Sequence, residues 1–306
     1  MFDNITLKIN DLPQNFIFCK RVKNSYQNDT NTYRGNLKNM GIYQNHNRLT
    51  IRGSLAKYLR GENITPLNRE GVKQAVEALE QEINLCLKTA IVCSVEFGTS
   101  IIVNEKPFEY LSLFGYINRL KKAEFSEWTG IETVNYFSPT GSYGFIGYDK
   151  IKEMQDTNQD IPPLFDKTNV LRLEYKIRKK KGIEEQFKGG LSAYNLFDEV
   201  IYLRFKELFH DTYKNIDKMG QLVYAVKSKS IVPSKFVKLQ AEQYRQCFPK
   251  DFRFSIQQLK EGGKLSTKNL ERIRAGNRKL ERDIYISEQN ALIEELNALV
   301  KLSLWD

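Results

Sequence analysis

The chain has 306 residues, a formal net charge of +10 and an isoelectric point near 9.2. Its 41% hydrophobic and 27% charged residues are those of a globular chain with a sizeable core, in one large domain or two ordinary ones. No apolar run reaches the roughly 18 residues of a membrane span, and MFDNITLKIN lacks the basic-then-apolar layout of a secretory signal.

In chain order, NITLKI alternates and predicts a strand. YRGNLKNMGIYQNHNRLTIRGSLAKYL reads as a strand, a turn at QNHN and a second strand, RLTIRG, leading into a short helix. Ser54 is placed to cap that helix and Gly61 to end it. In TPLNREGVKQAVEALEQEINLCLK, Val72, Ala75, Val76, Leu79, Ile83 and Leu87 recur at helical spacing. TAIVCSVEFGTSIIV is apolar and β-branched, a buried strand or a bent pair of strands, and PFEYLSLFGYINRL reads as helical. ETVNYFSPTGSYGFIGYDK predicts a hairpin around a Ser-Pro-Thr-Gly-Ser turn, and NVLRLEYKIRKK a strand.

Beyond about Leu191 strand signals fade and long charged amphipathic runs follow. A boundary near residue 190 is expected, with an α+β domain over 1–190, built on a mainly antiparallel sheet, and a helical region over 191–306. The last apolar stripe, Ile284, Leu292, Leu296, Leu299 and Leu302, predicts packing within the chain or a dimer contact. No Gly-rich dinucleotide fingerprint or P-loop occurs, which disfavours a Rossmann enzyme or a P-loop ATPase.

The excess of Lys and Arg favours a polyanionic partner, since such residues release counterions from phosphate backbones. The 18 Phe and 16 Tyr suit stacking of unpaired bases, though most belong to a core. The four cysteines, Cys19, Cys86, Cys93 and Cys247, are scattered and read as reduced cytosolic thiols. The two histidines, His46 and His210, have no partner histidine at ligand spacing, which gives little support to histidine metal clusters.

The carboxylates say more. Alternation in NVLRLEYKIRKK puts Leu171, Leu173, Tyr175 and Ile177 on one face and Arg172, Glu174, Lys176 and Arg178 on the other. Glu174 is then the one acid on a basic face, either within cross-strand ion pairs or as a metal ligand among phosphate-binding cations. In IVCSVEFGTS, Ile91, Cys93, Val95 and Phe97 would share one face and Ser94 and Glu96 the other. A glutamate in so apolar a strand must be paired, solvated or metal-bound. Two such carboxylates in one sheet suit Mg²⁺ or Mn²⁺, which take oxygen ligands. In GFIGYDK a strand would align Ile146, Tyr148 and Lys150; a bound cation and a lysine nearby would ease phenolate formation and let Tyr148 attack phosphorus, the alternative for one tyrosine among 16 being a core or surface aromatic.

Three blocks in this order carry a resemblance: IRGSLAKYLRGEN (51–63), TVNYFSPTGSYGFIGYDKIKE (133–153) and VLRLEYKIRKK (170–180). Together they resemble the replication-initiation proteins of filamentous phages, the gene II/gene X family, and the rolling-circle initiators of staphylococcal-type plasmids, over roughly residues 40–190. The resemblance implies a nicking-endonuclease sheet core and a site-specific single-strand DNA endonuclease and ligase. An active tyrosine would be joined to a 5′ phosphate, leaving a 3′ hydroxyl to prime synthesis. Carried over residue by residue, Tyr148 matches the nucleophile, with Tyr143 the alternative, and Lys150 would contact phosphate or stabilise the phenolate. Glu96 and Glu174 would bind Mg²⁺ or Mn²⁺, with Glu153 a possible third acid. Beside the carried-over residues, Lys57, Arg172, Lys176, Arg178, Lys179 and Lys180 fit this reading as DNA-facing cations, the alternatives being a solvated hairpin tip for KIRKKKG and a plain surface lysine for Lys57.

The implied partners are single-stranded or supercoiled origin DNA, and host helicase and replication machinery, in the cytoplasm of a bacterial host, with no membrane. The chain departs from the better-known rolling-circle nucleases in lacking their paired-histidine metal motif, and it carries Gly147 where plasmid relatives tend to have a larger residue. A non-catalytic origin-binding or repressor protein, and a conjugative relaxase of related fold, remain as alternatives.

Overall fold

The alternating segments of the first two-thirds pair into one sheet in the computed structural model. The structure describes residues 1–13, 16, 23–28, 32–123, 133–218, 221–224, 241, 245, 249–266, 268–269, 271, 284–287 and 291–305. The strands are β1 (Phe2–Ile9), β2 (Lys23–Asn28), β3 (Thr32–Leu37), β4 (Met40–Asn45), β5 (Arg48–Ser54), β6 (Ile91–Val103), β7 (Phe114–Ile117), β8 (Lys121–Ala123), β9 (Thr133–Phe137), β10 (Tyr143–Asp149), β11 (Asn169–Ile177), β12 (Ile216–Lys218), β13 (Gln221–Tyr224) and β14 (Ile284–Ser287). The helices are α1 (Leu55–Arg60), α2 (Arg69–Ile83), α3 (Pro107–Leu111), α4 (Lys150–Asp156), α5 (Lys180–Gln186), α6 (Glu199–Lys214), α7 (Pro249–Glu261) and α8 (Ala291–Trp305).

Ten strands form an antiparallel sheet in the order β2-β3-β4-β5-β1-β6-β11-β10-β9-β8. The fold is therefore α+β, as the pattern of segments predicts. β7 pairs with β12 and β13 with β14 in two small two-stranded ladders. Contacts group the chain into two units: Met1–Pro107 with Arg119–Tyr213 and Ser303–Asp306, and Phe108–Asn118 with Lys214–Leu302. Helix α6 thus belongs with the sheet, beyond the boundary near residue 190 that the fading strand signals suggest.

Ser54 accepts a hydrogen bond from the Lys57 amide at the start of α1, and Gly61 ends that helix in the left-handed conformation, φ 84°. The buried positions of α2 are Val72, Ala75, Val76, Leu79 and Ile83, the apolar stripe of the sequence. Three local expectations are revised. The expected single strand before QNHN is a hairpin, β3–β4, because Lys38 takes a positive φ of 53° and turns the chain. Only Pro107–Leu111 of the expected helix PFEYLSLFGYINRL is helical; Phe114–Ile117 is a strand on β12. The C-terminal stripe is also split, since Ile284 lies in β14 and Leu302 is exposed while Leu296 is buried. Within the region over 191–306 expected to be helical, residues 225–240 and 272–283 fall outside the described residues.

One sheet face is sealed by α6. Phe205 stacks on Phe97 with centroids 5.5 Å apart and meets Phe2 edge-on at 5.0 Å. Phe209 meets Phe145 of β10 at 5.3 Å. All five rings are buried, and full burial of one such side chain contributes about 1.5–3 kcal/mol. This apolar seal leaves the polar residues of β1, β6, β10 and β11 on the other face.

Candidate active site

The register of β6, β11 and β10 assembles the site. Glu174 stands opposite Gly98 on β6 and Ile146 on β10; Arg172 opposite Ser100 and Tyr148; Lys176 opposite Glu96 and Gly144. Alternate residues share a face, so Tyr148, Arg172, Glu174, Lys176 and Glu96 project together, on the face opposite α6. Gly98 permits the close approach: a Cβ there would lie 2.2 Å from the Leu173 carbonyl oxygen and 2.9 Å from Glu174 Cα.

The Tyr148 hydroxyl donates to Glu174 Oε1 at 3.0 Å, and Arg172 Nε donates to the same oxygen at 2.9 Å. Lys176 Nζ bridges Glu174 Oε2 at 2.8 Å and Glu96 Oε1 at 3.1 Å. The lysine contact on Oε2 is an ion pair without good hydrogen-bond geometry, so that buried oxygen has no well-aligned donor. Asn4 donates to Glu96 Oε2 at 2.6 Å.

Asp3, which the alternation of NITLKI leaves out, completes the cluster. A register shift between Phe2 and Ile5 breaks the alternation of β1, and Asp3 is buried at 2% exposure. It accepts from Ser54 Oγ, from Asn63 Nδ2 at 2.9 Å and from Arg172 at 3.2 Å. One oxygen each from Asp3, Glu96 and Glu174 lies within 4.8 Å of the others. A second shift, between Thr6 and Leu7, lets Val92 as well as Val95 and Phe97 turn inward, while Cys93 stays half-buried. That corrects the expected alternation of IVCSVEF but keeps Ser94 and Glu96 on the site face.

Charges inside the cluster push its two glutamates apart. Burial alone would raise the Glu174 carboxyl, but Lys176 and Arg172 outweigh it and hold it at about 2. Glu96 goes the other way: burial, helped by the charge of Glu174, outweighs Lys176 and raises it. The Tyr148 phenol is raised well above its usual value by burial and then by Glu174, with Arg172 opposing. Of the protein's own cations, Arg172 opposes this rise without offsetting it.

Other expected site residues sit differently. Lys150 is not on the strand but is the first residue of α4, capped by Asp149. It is buried, with Nζ on Asn63 Oδ1 at 3.1 Å and Glu153 Oε2 at 2.6 Å. Glu153 pairs with Lys150 and lies outside the carboxylate cluster, whose third member is Asp3. Tyr143 has the opposite strand parity to Tyr148 and its ring lies 6.2 Å from Tyr175, on the face that α6 covers. Arg172, expected to face DNA, is fully buried, because it pairs with Asp3 and Glu174 and donates to Ser100 Oγ and the Asn63 carbonyl within the protein.

Lys176 is mostly buried in its two ion pairs. Arg178 is exposed, with its guanidinium 4.5 Å from the centre of the Phe137 ring. Lys179 donates to the Thr140 carbonyl, Lys180 pairs with Glu184 at 3.2 Å in α5, and Lys57 on α1 bonds Gln159. Cys86 and Cys93 are free thiols; Cys19 and Cys247 lie outside the described residues. His46 forms a turn with φ 53°, and His210 packs edge-on against Trp305 at 6.4 Å. Among the described residues, no helix is long and apolar enough to cross a membrane.

Fold and site together define a class: an antiparallel-sheet protein with a tyrosine and three carboxylates gathered on one face. Residues 2–196 match the family described as the N-terminal part of the phage gene II replication-associated protein, and the chain belongs to that family. The matched span contains every residue of the cluster, from Asp3 to Lys176. No curated protein is similar in sequence. Among solved structures, the chain is similar to a rolling circle replication initiator protein from Geobacillus stearothermophilus, with a TM-score of 0.36 and 9% identity over 71% of this chain and 84% of that one. It is also similar to the di-domain ARO/CYC StfQ from the steffimycin biosynthetic pathway, with a TM-score of 0.21 and 12% identity over 60% and 70% of the two chains. At these scores neither likeness bears on function.

Proposed function

We propose that the chain is a rolling-circle replication initiator that nicks and rejoins one strand of its origin, with Tyr148 as nucleophile. The observation that carries this is the Tyr148 hydroxyl bonded to Glu174 within the Asp3–Glu96–Glu174 cluster, in a chain of a replication-associated family. The Tyr148 oxygen bonds to phosphorus and the bond from phosphorus to the 3′ oxygen breaks. The phenol gives up its proton, the departing oxygen takes one up as a 3′ hydroxyl, and the 5′ phosphate stays on the tyrosine. Rejoining is the reverse step.

The donor set fits a hard divalent cation such as Mg²⁺ or Mn²⁺: three carboxylates converge, one Glu174 oxygen lacks an aligned donor, and the Lys176 ammonium already bridges Glu96 and Glu174 as a cation would. When bound, such a cation supplies positive charge that polarises the scissile phosphate and lowers the cost of a phenolate. Asp3, Glu96 and Glu174 would hold it. Arg172 positions Asp3 and Glu174, and Asn4 positions Glu96. Lys150 and Asn63 brace the Asp3 side of the cluster.

The test is incubation of the protein with single-stranded DNA of its own replicon and Mn²⁺, followed by peptide mass spectrometry. A nucleotide adduct on Tyr148, absent from Tyr148→Phe and unaffected in Tyr143→Phe, is the expected result. An adduct that survives Tyr148→Phe, or nicking with no adduct, would overturn the mechanism.

A further inference from the structure

The sheet extends well past the candidate site, through β1 and β5 to β4 and β3, and its outward face there is cationic. From Thr30 to Gly61 the sequence holds no acidic residue, while Arg34, Arg48 and Arg52 all fall on β3 and β5. Strand register puts them on the face that carries Glu96: Arg52 stands opposite Thr6 and Gly41, Tyr43 opposite Arg34 and Thr50, and Lys8 opposite Thr50. Arg34, Arg48 and Arg52 are exposed, in contrast to the core-facing Met40 and Ile42 of β4 and Leu49 and Ile51 of β5.

Two clefts lie along this face. One, of about 440 Å³, is lined by Thr6, Ser94, Glu96, Lys176 and Arg52; the other, of about 550 Å³, by Arg34, Tyr43, Thr50 and again Arg52. Arg52 lines both, so the two adjoin and run from the carboxylate cluster outward. In the outer cleft the Arg34 guanidinium lies 4.9 Å from the centre of the half-buried Tyr43 ring.

We propose that this face is a track for single-stranded nucleic acid leading away from the candidate site, with Arg34 and Arg52 on phosphates and the Tyr43–Arg34 pair as a stacking platform for an unpaired base. The proposal rests on the DNA-directed reading above and adds where the strand lies. From β11 to β3 is five strand spacings, about 24 Å, room for several nucleotides in an extended strand. Cations alone would serve duplex and single strand alike; an aromatic ring with a guanidinium beside it suits a base whose face is free.

The test is fluorescence anisotropy with the full chain and a labelled oligothymidylate across a salt series, in chelator so that binding is read without cleavage. The double variant Arg34→Ala/Arg52→Ala is expected to lower the slope of log K against log salt by about 1.4, at about 0.7 for each phosphate no longer neutralised. Arg34→Lys/Arg52→Lys keeps the slope. Tyr43→Ala weakens binding by about 5- to 150-fold, the range for loss of one base stack, while Tyr43→Phe does not. Unchanged slope and affinity in both alanine variants, tighter binding to duplex of the same sequence, or no binding at all overturns the proposal. Binding is read here without cleavage, so failure to detect a tyrosine adduct counts against the nicking mechanism and leaves the track standing.

Discussion

Replacing Arg172 with methionine tests the electrostatic design of the site directly. The side chain is fully buried and touches both Asp3 and Glu174, which are 2% and 1% exposed, and it also donates to Ser100 and to the Asn63 carbonyl. Removing one partner of a buried ion pair costs about 3–5 kcal/mol, because the remaining charge is stranded. Here two carboxylates lose their shared cation, which places the cost toward the upper end. For a unit of this size the melting temperature should fall by roughly 6–20 °C, read by circular dichroism at neutral pH.

The pH dependence carries a sign. Glu174 is held at about 2, below the usual carboxylate value, so its ion pairs stabilise the wild type above about pH 4.5 and that stability is lost as pH falls toward 2. In Arg172→Met the part of this stabilisation due to Arg172 is missing from the start. The deficit relative to the wild type should therefore shrink as pH falls through that window. Equal melting temperatures at neutral pH, or a deficit that does not change with acid, would refute the buried-charge reasoning.

Two further expectations concern the scaffold. Gly98→Ala should displace β11 at Glu174, since the added Cβ would meet backbone at 2.2 Å; crosslinking to origin DNA should fall together with melting temperature, and a variant that melts and reacts like the wild type contradicts the close approach. Phe205→Ala removes the ring shared by Phe2, Phe97 and Phe187 and should cost about 3–5 kcal/mol in urea unfolding without altering the site residues themselves.

Patterns of period and punctuation were enough to reveal much of the frame. Ser54 and Gly61 bound α1, the stripe from Val72 to Ile83 faces inward, and the hairpin over 133–149 and the strand over 169–177 form where their alternation puts them. Glu96 and Glu174 stood out in the sequence because an acid in an apolar strand needs a partner. These features are local: they depend on neighbours within one or two turns or along one strand.

What tertiary structure decided is non-local. Only the pairing of β11 with β6 and with β10 brings Glu96, Glu174 and Tyr148 together, and the register shift of β1 between Phe2 and Ile5 accompanies the turn of Asp3 toward them. Burial then reassigns charges that look alike in one dimension. Arg172 and Lys150 become internal counter-ions, while Arg34 and Arg52, ordinary surface arginines by sequence, line the open face. A strand's alternation fixes which residues share a face; which face is sealed by α6, and which carboxylates meet on the other, depends on contacts between residues far apart in the chain, from Phe145 with Phe209 to Asp3 with Glu174.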